Sequence, residues 1–370
     1  MSAQIFAVIG SLTRDAPYFQ GARGRGITVA AFDQATGRMT RLAEKGGVDN
    51  PTFLAVHEGH RSVYASSEVF GWNEGVVSAY RLDPANGGLR YINMQPSLGS
   101  IIAHHSLDRT GRFLFVANYS VYAEPDDDQP NQAVIALPIR DDGGLGAPVS
   151  SQAHKGAGPN AERQDRSHAH CVLPSPDNRF VVVADLGTDE LVVYRFDAAT
   201  GALSLGRAFK AAPGSGPRHI AFHPSGRFLY AINELDSTVS AYAFDAAGSL
   251  AHLNTLSALP SAVSGESHGS GLQISPDGQF LYGGVRGADI LAVYAVDQSS
   301  GRIALVDLPS ALGKTPRDLT IDPTGRFVVV CNQNSDALAI FRIDRETGRL
   351  ADTGHRFETG TPMCVKFLPA

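Results

Sequence analysis

The chain has 370 residues, 43% of them hydrophobic, with 37 acidic against 31 basic side chains, enough for two domains or for one large β-rich architecture. Only 18% of the residues are charged and no Lys/Arg run is dense enough to track a phosphate backbone, which argues against a nucleic-acid partner. The longest apolar runs, such as Ile5 to Ile9 and Phe180 to Ala184, fall well short of the roughly 20 residues of a spanning helix, so no membrane partner is expected.

At the N-terminus there is no basic leader followed by a long apolar core and a small-residue cleavage site, so a secretory signal is not expected and the expected location is cytoplasmic. Three strands come first, in "IFAVIG", "GITVAAFD" and "MTRLAEK". A hairpin pattern follows, weakly in "NPTFLAVHEGHRSVYASSE" and then in "HHSLDRTGRFLFVANY". The unit that begins at His104 departs from the rest. Its connections are lengthened by "VYAEPDDDQPN" (residues 121–131) and "AHKGAGPNAERQDRSH" (residues 153–168), and polar loops of that length in a compact fold are more often functional than accidental.

Four further copies complete the pattern: "HCVLPSPDNRFVVVADL", "RHIAFHPSGRFLYAINEL", "GLQISPDGQFLYGGVRG" and "RDLTIDPTGRFVVVCNQ". Pro176, Pro224, Pro276 and Pro323 share one place in them, with spacings of 48, 52 and 47 residues, the period of a propeller blade; Arg109 holds that place in "DRTGRF". In each unit a short alternating strand reaches a Pro-x-Gly or Pro-Asp-Asn turn and a β-branched, aromatic strand returns, which is a hairpin. A third strand ("DELVVYRFD", "STVSAYAFD", "DILAVYAVD", "DALAIFRID"), a turn such as "AATG" or "RETG", and a fourth strand make a blade.

The C-terminal "PMCVKFLPA" reads as the missing first strand of the N-terminal unit. The predicted fold is therefore all-β: a seven-bladed β-propeller with four antiparallel strands per blade, closed by N- and C-terminal strands that share one blade, and forming a single domain over residues 1–370. Closure removes the exposed edges that an open array would carry. Cys171, Cys331 and Cys364 show no CxxC spacing, so neither a disulfide framework nor a structural zinc site is indicated.

The repeat also predicts which residues meet. Six residues before the anchor Pro, at the start of the innermost strands, stand Thr52, Ala103, His170, Arg218, Ser270, Arg317 and, in the split blade, Met363. Ten residues after it stand Glu68, Tyr119, Leu186, Glu234, Arg286 and Gln333. The two strands are antiparallel, so both sets share one rim. Any one of these polar residues would equally serve to hydrogen-bond neighbouring blades. Three guanidinium groups around one channel nevertheless repel one another unless carboxylates or an anion offset them, which points to a site for an anionic small molecule.

"RSHAHC", Arg166 to Cys171, is the stretch with the most chemistry. His168 and His170 are two apart, hence on one face of an extended chain, and a metal pair, a Cys nucleophile and a proton-transfer site would all look alike here. A third ligand at suitable spacing is not evident, the nearest acidic rim residue being Glu234. Alternation turns Cys171 away from His170 toward the packing face of the blade. That favours His170 for proton transfer, with His168 structural or at the pocket edge. His104, His219 and His223 read as blade-packing or surface histidines.

These segments resemble the seven-bladed propeller lactonase family, which includes a bacterial type of 6-phosphogluconolactonase and the fungal carboxy-muconate cyclases. The resemblance spans essentially the whole chain and is carried by "GPNAERQDRSHAH", "PSPDNRFVVVADLGTDELVVYRFD", "GPRHIAFHPSGRFLYAINELDSTVSAYAF", "ISPDGQFLYGGVRG" and "PRDLTIDPTGRFVVVCNQNSD". It implies a catalytic set of His170, Arg218, Glu234 and Arg286, all already on the rim, and it calls for no metal and no cofactor. Arg317, His168, Tyr119, Glu68 and Gln333 complete the expected substrate-binding set. The chain departs from the family at Val285 and Ala288, where Asn and His are usual, and in the acidic insertion Glu124 to Asp128, a poor companion for a phosphorylated sugar.

The activity so implied is hydrolysis of a sugar-derived or related anionic lactone. His170 is the expected general base, its unperturbed pKa lying near 6.5, with Glu234 to orient it or to act as the base itself, and one of Arg218 and Arg286 on the developing oxyanion. A muconate-type lactonizing cycloisomerase would use the same cluster. A non-catalytic binding propeller would instead call for an apolar or aromatic rim.

Overall fold

The computed structural model describes residues 4–120, 130–261 and 265–370; the acidic insertion Glu124 to Asp128 lies outside them. Seven sheets of four antiparallel strands form the described structure. Their innermost strands are Leu54–His57, Ile102–Leu107, Ala169–Pro174, Pro217–Phe222, His268–Ile274, Pro316–Ile321 and Pro362–Pro369, here heading blades 1 to 7, and each contacts the next around the ring. In blade 7 the C-terminal strand Pro362–Pro369 pairs with Ile5–Ser11, which pairs in turn with Ile27–Phe32 and Met39–Lys45. The expected closure by the two ends of the chain is therefore present.

Burial explains the strand sequences. The second strands Phe180–Asp185, Phe228–Asn233 and Phe327–Asn332 are buried at all six positions, because both of their faces pack on neighbouring blades, and they read as continuous β-branched and aromatic runs. Outermost strands such as Leu203–Lys210 are mostly exposed and carry charge. Seven apolar clusters fill the seams between adjacent blades. Phe113, Phe115, Val181, Val183 and Tyr194 form the one between blades 2 and 3, and Cys171 belongs to the next, between blades 3 and 4.

One irregularity positions the site. The innermost strand of five blades carries a single extra residue against its partner: Ala103, His170, Arg218, Arg317 and Met363. In blade 5 the extra residue falls between Gly269 and Leu272. A β-bulge bends its strand and re-aims the side chain at the bulge, so these five bulge residues are turned into the channel.

Candidate active site

The bulges and the ends of the second strands surround a cavity of about 790 Å³ at one mouth of the channel, a size typical of small-molecule sites. Thr52, Ala103, His170, Arg218, Arg317 and Met363 line it from the first expected set, and Glu68, Tyr119, Glu234, Arg286 and Gln333 from the second. Ser270 and Leu186 do not. Ser270 is fully buried and donates to the Pro316 carbonyl at 2.5 Å, and His268 lines the cavity in its place. Leu186 is covered by Gln164, whose amide donates to its carbonyl at 2.8 Å.

Glu234 is the electrostatic centre. Its Oε2 accepts from Arg218 Nε at 2.8 Å and forms an ion pair with Arg286 Nη2, also at 2.8 Å, and its Oε1 accepts from Arg163 Nη2 at 2.5 Å. Burial alone would raise its pKa, but Arg286, Arg218 and Arg163 outweigh burial and hold the carboxyl well below the usual carboxylate range. A carboxylate so tied is a counter-ion and a poor base. Among the described residues no hydrogen bond joins it to His170, so it does not orient that ring by direct contact.

The two strand-borne arginines keep unused donors. Arg218 Nη1 and Arg286 Nε are buried without a partner, and burial together with the Arg286 guanidinium pulls Arg218 down to about 9, which leaves it charged at neutral pH. Arg317 lies over the Tyr18 ring at 4.7 Å, and its side chain has no carboxylate partner among the ion pairs of the described residues. Glu68 accepts from Tyr18 Oη at 2.7 Å and from Thr52 Oγ1 at 2.6 Å.

His170 is 8% exposed, and burial, reinforced by Arg218, holds the imidazole well below its ordinary value. It is neutral at pH 7, and its Nδ1 has no partner. Its ring meets Tyr119 edge-on at 5.8 Å and His219 at 5.6 Å. His168 stands behind this layer and does not line the cavity. It stacks on Tyr119 at 4.2 Å, with Nδ1 on the Tyr119 carbonyl at 2.7 Å and Nε2 on Asp165 at 3.1 Å; both ring nitrogens are thus engaged, and the residue buttresses Tyr119. Burial pushes the Cys171 thiol up to about 12, which removes it as a nucleophile at neutral pH. Among the described residues no three His, Cys, Asp or Glu side chains converge as a metal site requires.

Besides His268, the residues that the structure adds to the expected set include His219, Arg163 and Tyr18. His219, read from the sequence as a blade-packing or surface histidine, lines the cavity, because the bulge at Arg218 breaks the strand alternation there. Arg163 comes from the lengthened connection of residues 153–168, whose polar length was the only signal. Tyr18 comes from the connection of residues 12–26 between Ile5–Ser11 and Ile27–Phe32 of the split blade; that length for a hairpin loop could have flagged it. No helix among the described residues is long and apolar enough to cross a membrane.

Comparison with known proteins agrees with the fold. Residues 6–367 match the family model described as "Lactonase, 7-bladed beta-propeller". A 6-phosphogluconolactonase of Bacillus subtilis is 37% identical over 279 residues, 75% of each chain, and one of Formosa agariphila is 33% identical over 315 residues, 84% of each. Among solved structures, the periplasmic gluconolactonase of Pseudomonas aeruginosa superposes with a TM-score of 0.88 at 34% identity, covering 99% of each chain.

Proposed function

Because this chain belongs to the seven-bladed β-propeller lactonase family, we propose that it hydrolyses a lactone, of the sugar-derived type named for its relatives, at the His170, Arg218, Glu234 and Arg286 cluster. The observation that carries this reading is the pair of guanidinium groups fixed on one carboxylate oxygen, each with an unused buried N–H, beside a neutral imidazole.

The chemistry follows from those groups. Neutral His170 takes a proton from water as the water oxygen bonds to the ring carbonyl carbon, and the carbonyl electron pair moves to oxygen. Arg218 Nη1 and Arg286 Nε are the donors for that oxyanion, where one preorganised donor contributes about 3 kcal/mol. Collapse of the intermediate breaks the bond to the ring oxygen, and the alkoxide takes the proton held by His170. A depressed pKa makes His170 a weak base but its imidazolium a strong acid, which suits the second transfer. Glu234 holds the two guanidinium groups in place against their mutual repulsion. Arg317, with Tyr119, Glu68 and Gln333, contacts the rest of the substrate, and Arg317 offers its cation to an acidic substituent. Lactones also open unaided, so the acceleration required of the site is modest.

The test is proton release, followed with a pH indicator, across phosphorylated and plain sugar lactones, aldonolactones and muconolactones. We expect rapid release on one sugar-lactone class and a loss of roughly 10²–10⁴-fold in His170→Ala, the range for a positioned general base, with a comparable loss in Arg218→Ala. No release above the spontaneous rate on any of them would overturn hydrolysis and transfer the site to cycloisomerisation or to binding without chemistry.

A further inference from the structure

The reaction written above leaves Arg163 unused, although it makes the shortest of the three contacts to Glu234. Arg218 and Arg286 stand on strands. Arg163 stands on the connection of residues 153–168, which runs between blades 2 and 3 and is pinned to blade 3 at several points. Asp185, fully buried, accepts from Ser167 Oγ at 2.5 Å and from the His168 backbone N–H at 2.8 Å, and it pairs with His154 Nδ1 at 2.7 Å. His154 Nε2 meets Tyr194 Oη at 2.6 Å. Gln164, next to Arg163 and fully buried, bonds the Leu186 carbonyl.

A segment held this way has little freedom, and it carries the Arg163 guanidinium across to blade 4. There it bonds Glu234 Oε1 at 2.5 Å and feels the charge of the nearby Tyr119 phenol. Among the described residues Oε1 has no other partner, whereas Oε2 serves both strand-borne arginines. The side chain of Arg163 is 35% exposed and that of Glu234 4%, so the pair joins a partly exposed guanidinium to a buried carboxylate.

We propose that Arg163 is a positioning residue of this site: by occupying Oε1 it fixes the rotation of the Glu234 carboxylate, so that Oε2 presents one acceptor to both Arg218 and Arg286 and their free N–H groups converge. The proposal rests on the reading of this cavity as a lactone site. A carboxylate with one free oxygen turns about its own bond. Turning moves Oε2 and lets the guanidinium groups separate, and a displacement of an ångström at the donors is enough to cost catalysis.

The experiment is a double-mutant cycle of Arg163→Ala with Glu234→Gln, read on kcat/KM with the best lactone of the panel, together with addition of guanidinium ion at a non-denaturing concentration to Arg163→Ala. We expect Arg163→Ala to lower kcat/KM by roughly ten- to hundredfold, chiefly through kcat. Arg163→Lys should keep part of that loss from appearing, and guanidinium should restore part of the activity of Arg163→Ala while leaving the wild type unimproved. In the Glu234→Gln background the Arg163 substitution should cost nothing more, since residues acting through one another are not additive. Full activity in Arg163→Ala, or losses that add in the double variant, overturns the proposal. If Glu234→Gln does not fold, guanidinium rescue decides, and its failure overturns the proposal as well. If the wild type opens no lactone, the functional reading has failed by itself. The same cycle is then read on calorimetric binding of gluconate, where additivity again overturns the role of Arg163.

Discussion

At Glu234 one carboxylate answers to three guanidinium groups, which hold it ionised against its burial. Arg218 and Arg286 stay charged, and the buried His170 beside them is driven neutral. The sign of the resulting pH dependence is fixed. A histidine whose folded-state pKa is depressed keeps its basic, neutral form as pH falls through 6.5 and loses it only on passing the depressed value. The acid limb of kcat/KM should therefore lie well below pH 6.5, with activity flat from about pH 6 to 8 as far as this group is concerned. A pH–rate profile with a limb centred near 6.5 would remove His170 as the base. The identity of this residue was legible in the sequence, since repeat phase alone put it on the rim with Arg218, Glu234 and Arg286. Its protonation was not, because desolvation and the neighbouring guanidinium come from chain segments far apart.

The hairpins and their bulges carry the site at the scale of elements. Each hairpin turn needs one residue in the left-handed region, supplied by Gly226 at φ 72° and Gly278 at φ 77° in blades 4 and 5, and by Asn178 at φ 60° in blade 3. These turns hold the register that brings bulge residues and second-strand ends to one height. The two glycines separate backbone from packing effects. A Cβ at Gly226 meets nothing closer than Pro176 at 3.7 Å, whereas at Gly278 it falls 2.3 Å from His223 Nε2, and that ring is held by Gln298 and Ser225. Gly226→Ala should cost only the conformational penalty, about 1–2 kcal/mol, and Gly278→Ala clearly more. Urea denaturation of both variants checks this, and equal midpoints would contradict it. The turn signals were readable as Pro-Ser-Gly, Pro-Asp-Gly and Pro-Asp-Asn. The bulges were not, since a bulge is a mismatch between two strands, and neither strand shows it alone; this is why His219 reads from the sequence as a blade-packing or surface residue.

Over the whole molecule, stability depends on closing the ring. The strand Pro362–Pro369 contributes to the clusters on both sides of blade 7, accepts from Thr320 Oγ1 at the Val365 carbonyl, and places Lys366 Nζ 3.0 Å from the buried Asp318. Its removal would leave Ile5–Ser11 as an open edge, two seams unfilled and Asp318 buried without its partner, each of which is destabilising. A chain ending at Thr361 should therefore lose cooperative thermal unfolding and bind a hydrophobic dye at room temperature. A truncated protein that melts as sharply and as high as the full chain would show that the blades do not depend on closure. The connections of residues 12–26 and 153–168 act at this scale too, since they bring Tyr18 and Arg163 from outside the repeat to the mouth of the channel.

By itself the sequence determined the seven-fold repeat, the four strands of each blade, the closure of the ring by its ends and the phase that sets His170, Arg218, Glu234 and Arg286 at one rim. All of these follow from local rules, the alternation of side chains along a strand and the residues a turn requires, repeated at a fixed period. Only the tertiary structure decided that Glu234 is a shared counter-ion, that His170 is neutral, that His168 supports Tyr119 from behind, and that Arg163, Tyr18 and His219 reach the cavity. Those depend on distances between residues far apart in the chain and on the water that packing excludes, neither of which a local pattern records.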